Sequence, residues 1–269
     1  MSPRYFSLTI QYFIFSLLVL ACAQINKVYS ATPECKNNLV LSTTSNWFPY
    51  IYKSENQLYE GFDLALLRDI LNEMGCNLMV VQYPERRSLF EISQGRFDIG
   101  LGASKNKDRI KLHHYSSPYR HEVNRFAYRN NDIDIAQTKS LQDIIKLNKN
   151  IAINLAGWYG EELEGAKADY NNFIFSDSIT KRLKMLYYAR VDIVVDDELV
   201  LCNELERSIY KGMTIHPQIL YDTSIHFIFN KKNISSQFVV QFNGILERKR
   251  NDGSLAEYFH GKGTNNCLS

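Results

Sequence analysis

Arg109 and Asp197 are the side chains in this 269-residue sequence best suited to hold a charged molecule. A guanidinium presents a planar pair of donors that matches a carboxylate. Arg109 closes the run Lys105-Asn106-Lys107-Asp108-Arg109, where it serves either as an anion receptor or as one more solvated surface charge. Asp197 ends an apolar run. A carboxylate there can take a cationic group in a charge-assisted bond, or cap a helix starting at Glu198, and one residue can do both. Asp196 points elsewhere if strand alternation continues. Trp47 and Tyr50 flank Phe48-Pro49 and offer an aromatic wall for a flat side chain or an aliphatic stem, or simply pack their own loop. Gly157-Trp158-Tyr159 precedes a predicted helix, whose free N–H groups attract an anion. Its two rings suit a bulky or stacked ligand, or an ordinary packed helix start.

Other chemistries lack their residues. The six histidines are scattered, with His113-His114 the adjacent pair, and neither His-Glu-x-x-His nor Cys-x-x-Cys occurs, so no metal is expected. Gly100-x-Gly102 lacks the third glycine of a dinucleotide motif and reads as a tight strand exit. No phosphate-binding loop and no Gly-x-Ser-x-Gly is present, so no cofactor is expected. Asn233-Ile234-Ser235 is a formal glycosylation triplet of a kind common by chance.

The elements that must position these residues are legible in outline. A strand is predicted over residues 38–43, and a helix over 62–74 with Leu66, Ile70 and Met74 on one face and Leu67 and Leu71 beside it. Gly75 stops that helix. A strand over 78–81, a helix over 88–94 stopped by Gly95, and a strand over 97–101 complete a β-α-β-α-β unit, the mark of a parallel sheet with covering helices. A second unit starts after Asp132. It comprises helix 141–147 capped by Ser140, strand 151–155, a helix near Glu161, strand 173–175, helix 178–189, strand 191–195 and helix 198–210. A strand over 224–229 follows, then a long helix carrying Phe238, Phe242, Ile245 and Leu246, broken at Asp252-Gly253, and a last helix over 255–259. Two units of similar size, joined by extended stretches near 124–128 and 220–223, imply two α/β lobes around a cleft. Ligands of such sheets sit beyond the carboxyl ends of the strands.

The N-terminus reads as an export signal. Arg4 is followed by an apolar run over 12–23, too short for a bilayer core that needs ~20 apolar residues. Val28-Tyr29-Ser30 then offers small residues at −3 and −1 of a cleavage site, so residues 1–30 are expected to be removed. Val19-Leu20-Ala21-Cys22 is a looser match to a lipoprotein box with Cys22 as lipid carrier. The first 30 residues hold Arg4 and Lys27 and no acidic group; without them the chain has 29 basic against 29 acidic residues. A nucleic-acid binder is expected to carry a basic surplus. Cys35, Cys76, Cys202 and Cys267 remain, an even set that permits disulfides in an oxidising compartment. Cys35 and Cys76 each precede a predicted strand and would share a sheet edge if those strands are parallel neighbours. Cys202 and Cys267 would then pair; buried free thiols are the alternative.

Several segments, taken in order, resemble the bacterial extracellular solute-binding proteins of family 3, the periplasmic components of polar amino-acid ABC transporters. They are Trp47-Phe48-Pro49-Tyr50, Gly61-Phe62-Asp63, Gly95-Arg96-Phe97-Asp98, Ser104 with Asp108-Arg109, Tyr115-Ser116-Ser117-Pro118-Tyr119, Val191-Asp192 through Asp197, and Asp252-Gly253-Ser254-Leu255. The resemblance covers nearly all of the chain after residue 30. It implies two lobes, 31–123 with 222–269 and 124–221, joined by two crossover strands and closing on ligand. It places Arg109 on a ligand α-carboxylate with Ser104 and Gly102 assisting, and Asp197 on an α-ammonium. Arg87 is similar to an arginine of one subgroup, but Glu85 stands where that subgroup has an aromatic residue. Either a charged ligand group is read there, or Glu85 and Arg86 are solvated. Gly157-Trp158-Tyr159 replaces a Gly-Thr/Ser pair, which removes a hydroxyl donor and points away from a standard α-amino acid.

The resemblance implies a monomeric periplasmic binding protein that captures an amino-acid-like ligand and delivers it to a membrane permease without chemistry. Two alternatives are carried. One is a dehydratase-like enzyme on the same scaffold, needing a cleft carboxylate such as Glu85, Asp197 or Glu198 as general acid. The other is a sensing module for a membrane receptor.

Overall fold

The computed structural model describes residues 35, 38–43, 46–83, 91, 94–155 and 157–260. Strand β1 (Leu39–Thr43) leads through a short hairpin, β2 (Tyr52–Lys53) and β3 (Tyr59–Glu60), into helix α1 (Phe62–Glu73). Leu66, Leu67, Ile70, Leu71 and Met74 of the anticipated face are all buried, while Asp69, Asn72 and Glu73 are exposed. Each fully buried leucine or isoleucine contributes about 1.5–3 kcal/mol. Strands β4 (Leu78–Gln82) and β5 (Ile99–Ala103) flank β1, both parallel to it. The helix anticipated over 88–94 falls largely outside the described residues. Strand β5 starts two residues later than its apolar run because Asp98 is spent on the turn. Its backbone N–H donates to Val40 O at 3.0 Å, and its carboxylate accepts from Val40 N at 2.8 Å.

Helix α2 (Lys107–Leu112) and strand β6 (His113–Tyr115) lead to β7 (Arg120–Arg129). Then come α3 (Ile133–Ala136), α4 (Leu141–Lys146), β8 (Ile151–Ile153), α5 (Gly160–Asp169), β9 (Phe173–Phe175), α6 (Ile179–Tyr187), β10 (Ile193–Asp197) and α7 (Glu198–Leu205). A 3-10 turn (Ser208–Tyr210), β11 (Met213–Ile215), β12 (Tyr221–Asn230), α8 (Ser236–Asn251) and α9 (Ser254–Glu257) complete the order. The anticipated N-cap holds, with Ser140 accepting from Asp143 N; Ser178, expected as the first helical residue, instead caps α6 by accepting from Lys181 N. The helix anticipated over 198–210 stops at Leu205, with Tyr210 in the separate 3-10 turn.

The main sheet runs β4-β1-β5-β12-β7-β10-β8-β9, with β6 on β12 and β11 on β7. Strand β12 is divided: Tyr221 to Ile225 pair with β7, while His226 to Asn230 pair with β5 or β6. One core gathers β1, α1, the end of β12 and α8. Two others lie on opposite faces of β7, β8 and β10. Ala127, Ala152 and Val194 point to one, and Phe126, Tyr128, Ile151, Ile153, Ile193 and Val195 to the other. Strands buried on both faces carry continuous apolar runs, which is why Ile193-Val194-Val195 shows no alternation.

Cys35 and Cys76 form a disulfide with Cα atoms 5.3 Å apart, at the start of the parallel pair β1 and β4. Cys202 is buried on α7 and is also disulfide-bonded. Its anticipated pairing with Cys267, like the export signal, concerns residues outside those described. Among the described residues no helix is long and apolar enough to cross a membrane.

Candidate functional site

A cavity of about 330 Å³ opens where the carboxyl ends of β1 and β5 face those of β8 and β10. Its size falls in the range of small-molecule sites. Gly102, Ser104, Arg109 and Trp47 line one side, Trp158, Tyr159, Asp177, Arg182 and Asp196 the other, and Glu122 and Asn124 of β7 lie between.

Arg109 is set by the start of its own helix. Asn106 caps α2 by accepting from Arg109 N at 2.8 Å. The guanidinium Nη1 then reaches back to Ser104, donating to its carbonyl at 3.1 Å and its hydroxyl at 3.3 Å. Burial draws the guanidinium below its ordinary pKa, with Tyr115 and Glu122 opposing. A partly buried cation gains more from an anionic partner than a fully solvated one does. Burial, and then the Arg109 charge, push His113 on the same wall down to about 4, so its imidazole is neutral.

Gly102 serves by shape. Its N–H already donates to Tyr119 Oη at 3.1 Å. With φ at +66°, a Cβ there would sit 2.7 Å from the Trp47 ring. The absent side chain lets the indole lie against the backbone. Trp47 is held from the far side by its Nε1, which donates to Asp196 Oδ1 at 3.2 Å.

Tyr50 and Asp197 depart from the sequence expectation, since neither lines the cavity. Tyr50 is buried with its hydroxyl on Asp197 Oδ1 at 3.1 Å, and the Arg120 guanidinium lies 3.6 Å from its ring centre. The same Asp197 oxygen accepts from Val200 N at 3.1 Å, capping α7. Asp196, expected to point elsewhere, is the one on the cavity wall. Its carboxylate takes Arg182 Nη2 at 2.5 Å, Trp47 Nε1, and Asp197 N at 2.8 Å. The reason is a pairing the sequence did not reveal: antiparallel β7 extends β10 through Asp196 and Asp197, opposite Arg125 and Asn124. Glu198, another acid weighed for chemistry, is bound to Arg125 Nε at 2.7 Å.

Trp158 lines the cavity and meets Tyr221 edge to face, with centroids 5.3 Å apart. The anion site anticipated at 157–159 uses two of its three backbone donors internally. Gly157 N donates to Asn154 O at 3.2 Å, and Tyr159 N to Glu164 Oε1 at 3.1 Å. Tyr159 Oη in turn accepts from Asn154 N at 3.0 Å. Arg87 and Glu85 lie outside the described residues.

Sequence reasoning missed Arg182, Glu122 and Asn124. Arg182 had a signal, because it falls on the stripe formed by Ile179, Leu183 and Leu186, where a charge demands a partner. Glu122 and Asn124 had only their two-residue spacing on a strand. Asp63, quoted within Gly61-Phe62-Asp63, is wholly buried and anchors the start of β7. It accepts from Tyr119 Oη at 2.5 Å and Arg120 Nε at 3.0 Å. Among the described residues no group of three or more His, Cys, Asp or Glu could hold a metal.

Parallel strands with covering helices on either side of one curled mixed sheet, two long strands, β7 and β12, running between the two sides, and a cavity at the strand ends define a periplasmic-binding-protein-like fold. The model of the bacterial extracellular solute-binding proteins, family 3, matches residues 39–260, and the chain belongs to that family. It is 24% identical over 237 residues to the L-cystine-binding protein TcyA of Bacillus subtilis, covering 84% of this chain and 81% of that protein. It is 29% identical over 106 residues to a cyclohexadienyl dehydratase of Pseudomonas aeruginosa, covering 38% of this chain and 40% of the enzyme. Among solved structures, it is similar to an amino acid ABC transporter substrate-binding protein AbpA from Streptococcus pneumoniae bound to L-arginine. That likeness has a TM-score of 0.70 at 20% identity, and covers 83% of this chain and 93% of that one.

Proposed function

We propose that the protein captures an amino acid or amino-acid-like molecule by closing two lobes on it, and hands it unchanged to the permease of an ABC-type importer. One lobe comprises residues 31–123 and 222–269, the other 124–221, and β7 and β12 connect them. Acting in the periplasm as a monomer, it needs no cofactor. The observation that carries this reading is the anion receptor. Arg109, anchored on Ser104, borders a small cavity whose other walls hold the carboxylates of Glu122 and Asp196. A ligand with a carboxylate and a cationic group fits both walls at once, and Trp47 and Trp158 supply apolar faces for its stem. Kinship with the cystine-binding and arginine-bound proteins favours the same ligand class.

The test is a thermal-shift titration with amino acids and their derivatives. A ligand that binds the folded state alone stabilises it by ~2.7 kcal/mol at a hundredfold excess over its dissociation constant. The expected result is a shift with one amino acid or a close relative, abolished in Arg109→Ala. No shift with any amino acid or derivative overturns the reading.

A second reading has one observation behind it. Burial pushes the Glu122 carboxyl above the usual carboxylate range, against the opposing pull of Arg120. A cavity acid that holds its proton more tightly than usual suits the general-acid step of dehydration, the chemistry named for the cyclohexadienyl dehydratase relative. Incubation with a cyclohexadienyl acid, followed by ultraviolet absorbance, tests it. Aromatic product lost in Glu122→Gln would favour the enzyme.

A further inference from the structure

Strand β7 turns two acceptors toward the cavity, and the protein itself leaves one atom of each unsatisfied. Glu122 and Asn124 are two residues apart and share a strand face, and both line the cavity. They orient each other, since Asn124 Nδ2 donates to Glu122 Oε1 at 3.1 Å. With the amide nitrogen so engaged, Asn124 Oδ1 faces the other way. Asn124 Oδ1 and Glu122 Oε2 are both buried and have no hydrogen-bond partner, and Asn124 is only 1% exposed. A buried acceptor left unmade costs ~1–3 kcal/mol, and more when it is charged. Two of them on one cavity wall mark a place for a donor from outside the chain.

The neighbouring carboxylates already have close partners. Asp63 takes Tyr119 and Arg120, Asp196 takes Arg182 and Trp47, and Asp197 takes Tyr50 and the first turn of α7. Glu122 Oε2 stands 3.5 Å from Arg120 Nη1, but that guanidinium is bonded to Asp63 through both Nε and Nη2. The charges of Asp63 and Asp196 also act on Glu122, and Glu122 acts on Asp197 and on Arg109 across the cavity. An ammonium suits the pair because it brings three donors and no acceptor, whereas a hydroxyl would leave the carboxylate charge unmatched.

We propose that Glu122 and Asn124 form the subsite that reads the ligand's protonated amine, at the connecting strand and not at Asp197, so the ligand is a primary ammonium compound. This rests on the small-molecule capture proposed above and deepens it.

The experiment is isothermal titration calorimetry on the wild-type protein, Glu122→Gln, Asn124→Leu and Asp197→Asn. Probes are the protein L-amino acids and cystine, each with the acid lacking its amine and the amine lacking its carboxylate. Circular dichroism checks that each variant is folded. The expected result is that an amino acid binds the wild type, its amine-free acid binds far more weakly, and Glu122→Gln weakens the amino acid about 10- to 100-fold. Asn124→Leu is expected to weaken it about tenfold, and neither variant to change the amine-free acid. If Glu122→Gln fails to fold, wild-type discrimination for the amine together with the Asn124→Leu loss decides the question in its place. Amino acids that bind both variants as they bind the wild type, or that lose affinity only in Asp197→Asn, overturn the proposal and leave the capture reading intact. Amines that bind without a carboxylate and are lost in Glu122→Gln, with no amino acid binding, support the subsite and overturn the amino-acid reading. Failure of every amine-bearing probe overturns both.

Discussion

Arg182 lies on the apolar stripe of α6 at 1% exposure, and its guanidinium donates through Nη1 to Val195 O and through Nη2 to Asp196. A charge pair taken out of water is weak support for a fold, but breaking it leaves a bare buried ion. Arg182→Met is expected to cost ~3–5 kcal/mol in urea unfolding, and Arg182→Met with Asp196→Asn less than the single change. A single-variant loss below ~1 kcal/mol would mean that the pair does not hold the wall. His113 gives a pH signature. Its folded pKa of about 4 lies below the unfolded value of ~6.5, so the unfolded chain takes up the proton first. Its contribution is intact above pH ~6.5 and is lost as pH falls through about 4. Arg109, Lys231 and His114 are the charged or titratable groups acting on it. His113→Gln is expected to flatten the urea midpoint over that window; an unchanged slope assigns the acid sensitivity elsewhere. At this scale Arg109, Ser104, Trp47 and Trp158 were legible as cavity residues because their motifs or side chains announce anion or ring binding. Asp196 was not, because which of two adjacent acids faces the cleft is decided by how far β7 extends β10.

Among the elements, those with enough turns or strands to show a period were readable, and the short ones were not. Residues 62–74 bury six apolar side chains, Leu64 and the five of the anticipated face, whereas β2, β3, β6 and β11 are two or three residues long and too short for a pattern. Of the serine caps, Ser140 alone was legible in the sequence. Ser140, Ser178 and Ser235 all accept from the residue three positions on. Ser235 holds the start of α8, the helix that presents Phe238 and Phe242 to the first core. Ser235→Ala is expected to cost ~1 kcal/mol, read as a lower urea midpoint with unchanged slope. An unchanged midpoint would show that α8 is fixed by its apolar face alone.

Across the whole molecule, the Trp47 loop bridges the cores on either side of the cavity through two side chains. Trp47 packs against both the first core and the one behind β10. Its indole N–H to Asp196 and the Tyr50 hydroxyl to Asp197 span from the loop after β1 to the end of β10. In the two-lobed closure proposed above, rotation about β7 and β12 must break both bonds to admit a ligand. Hydrogen bonds to charged groups each contribute ~1.5–3 kcal/mol, enough to set the unliganded population between open and closed. Trp47→Phe with Tyr50→Phe removes both donors and keeps an aromatic ring at each position. Small-angle scattering of the unliganded protein is expected to give a larger radius of gyration for the double variant than for the wild type. Its affinity for any ligand found in the thermal-shift titration should fall, because more of the protein must first be closed. An unchanged radius would mean that the two bonds only pack the loop, and that closure is set by the ligand contacts of Arg109 and the opposite wall.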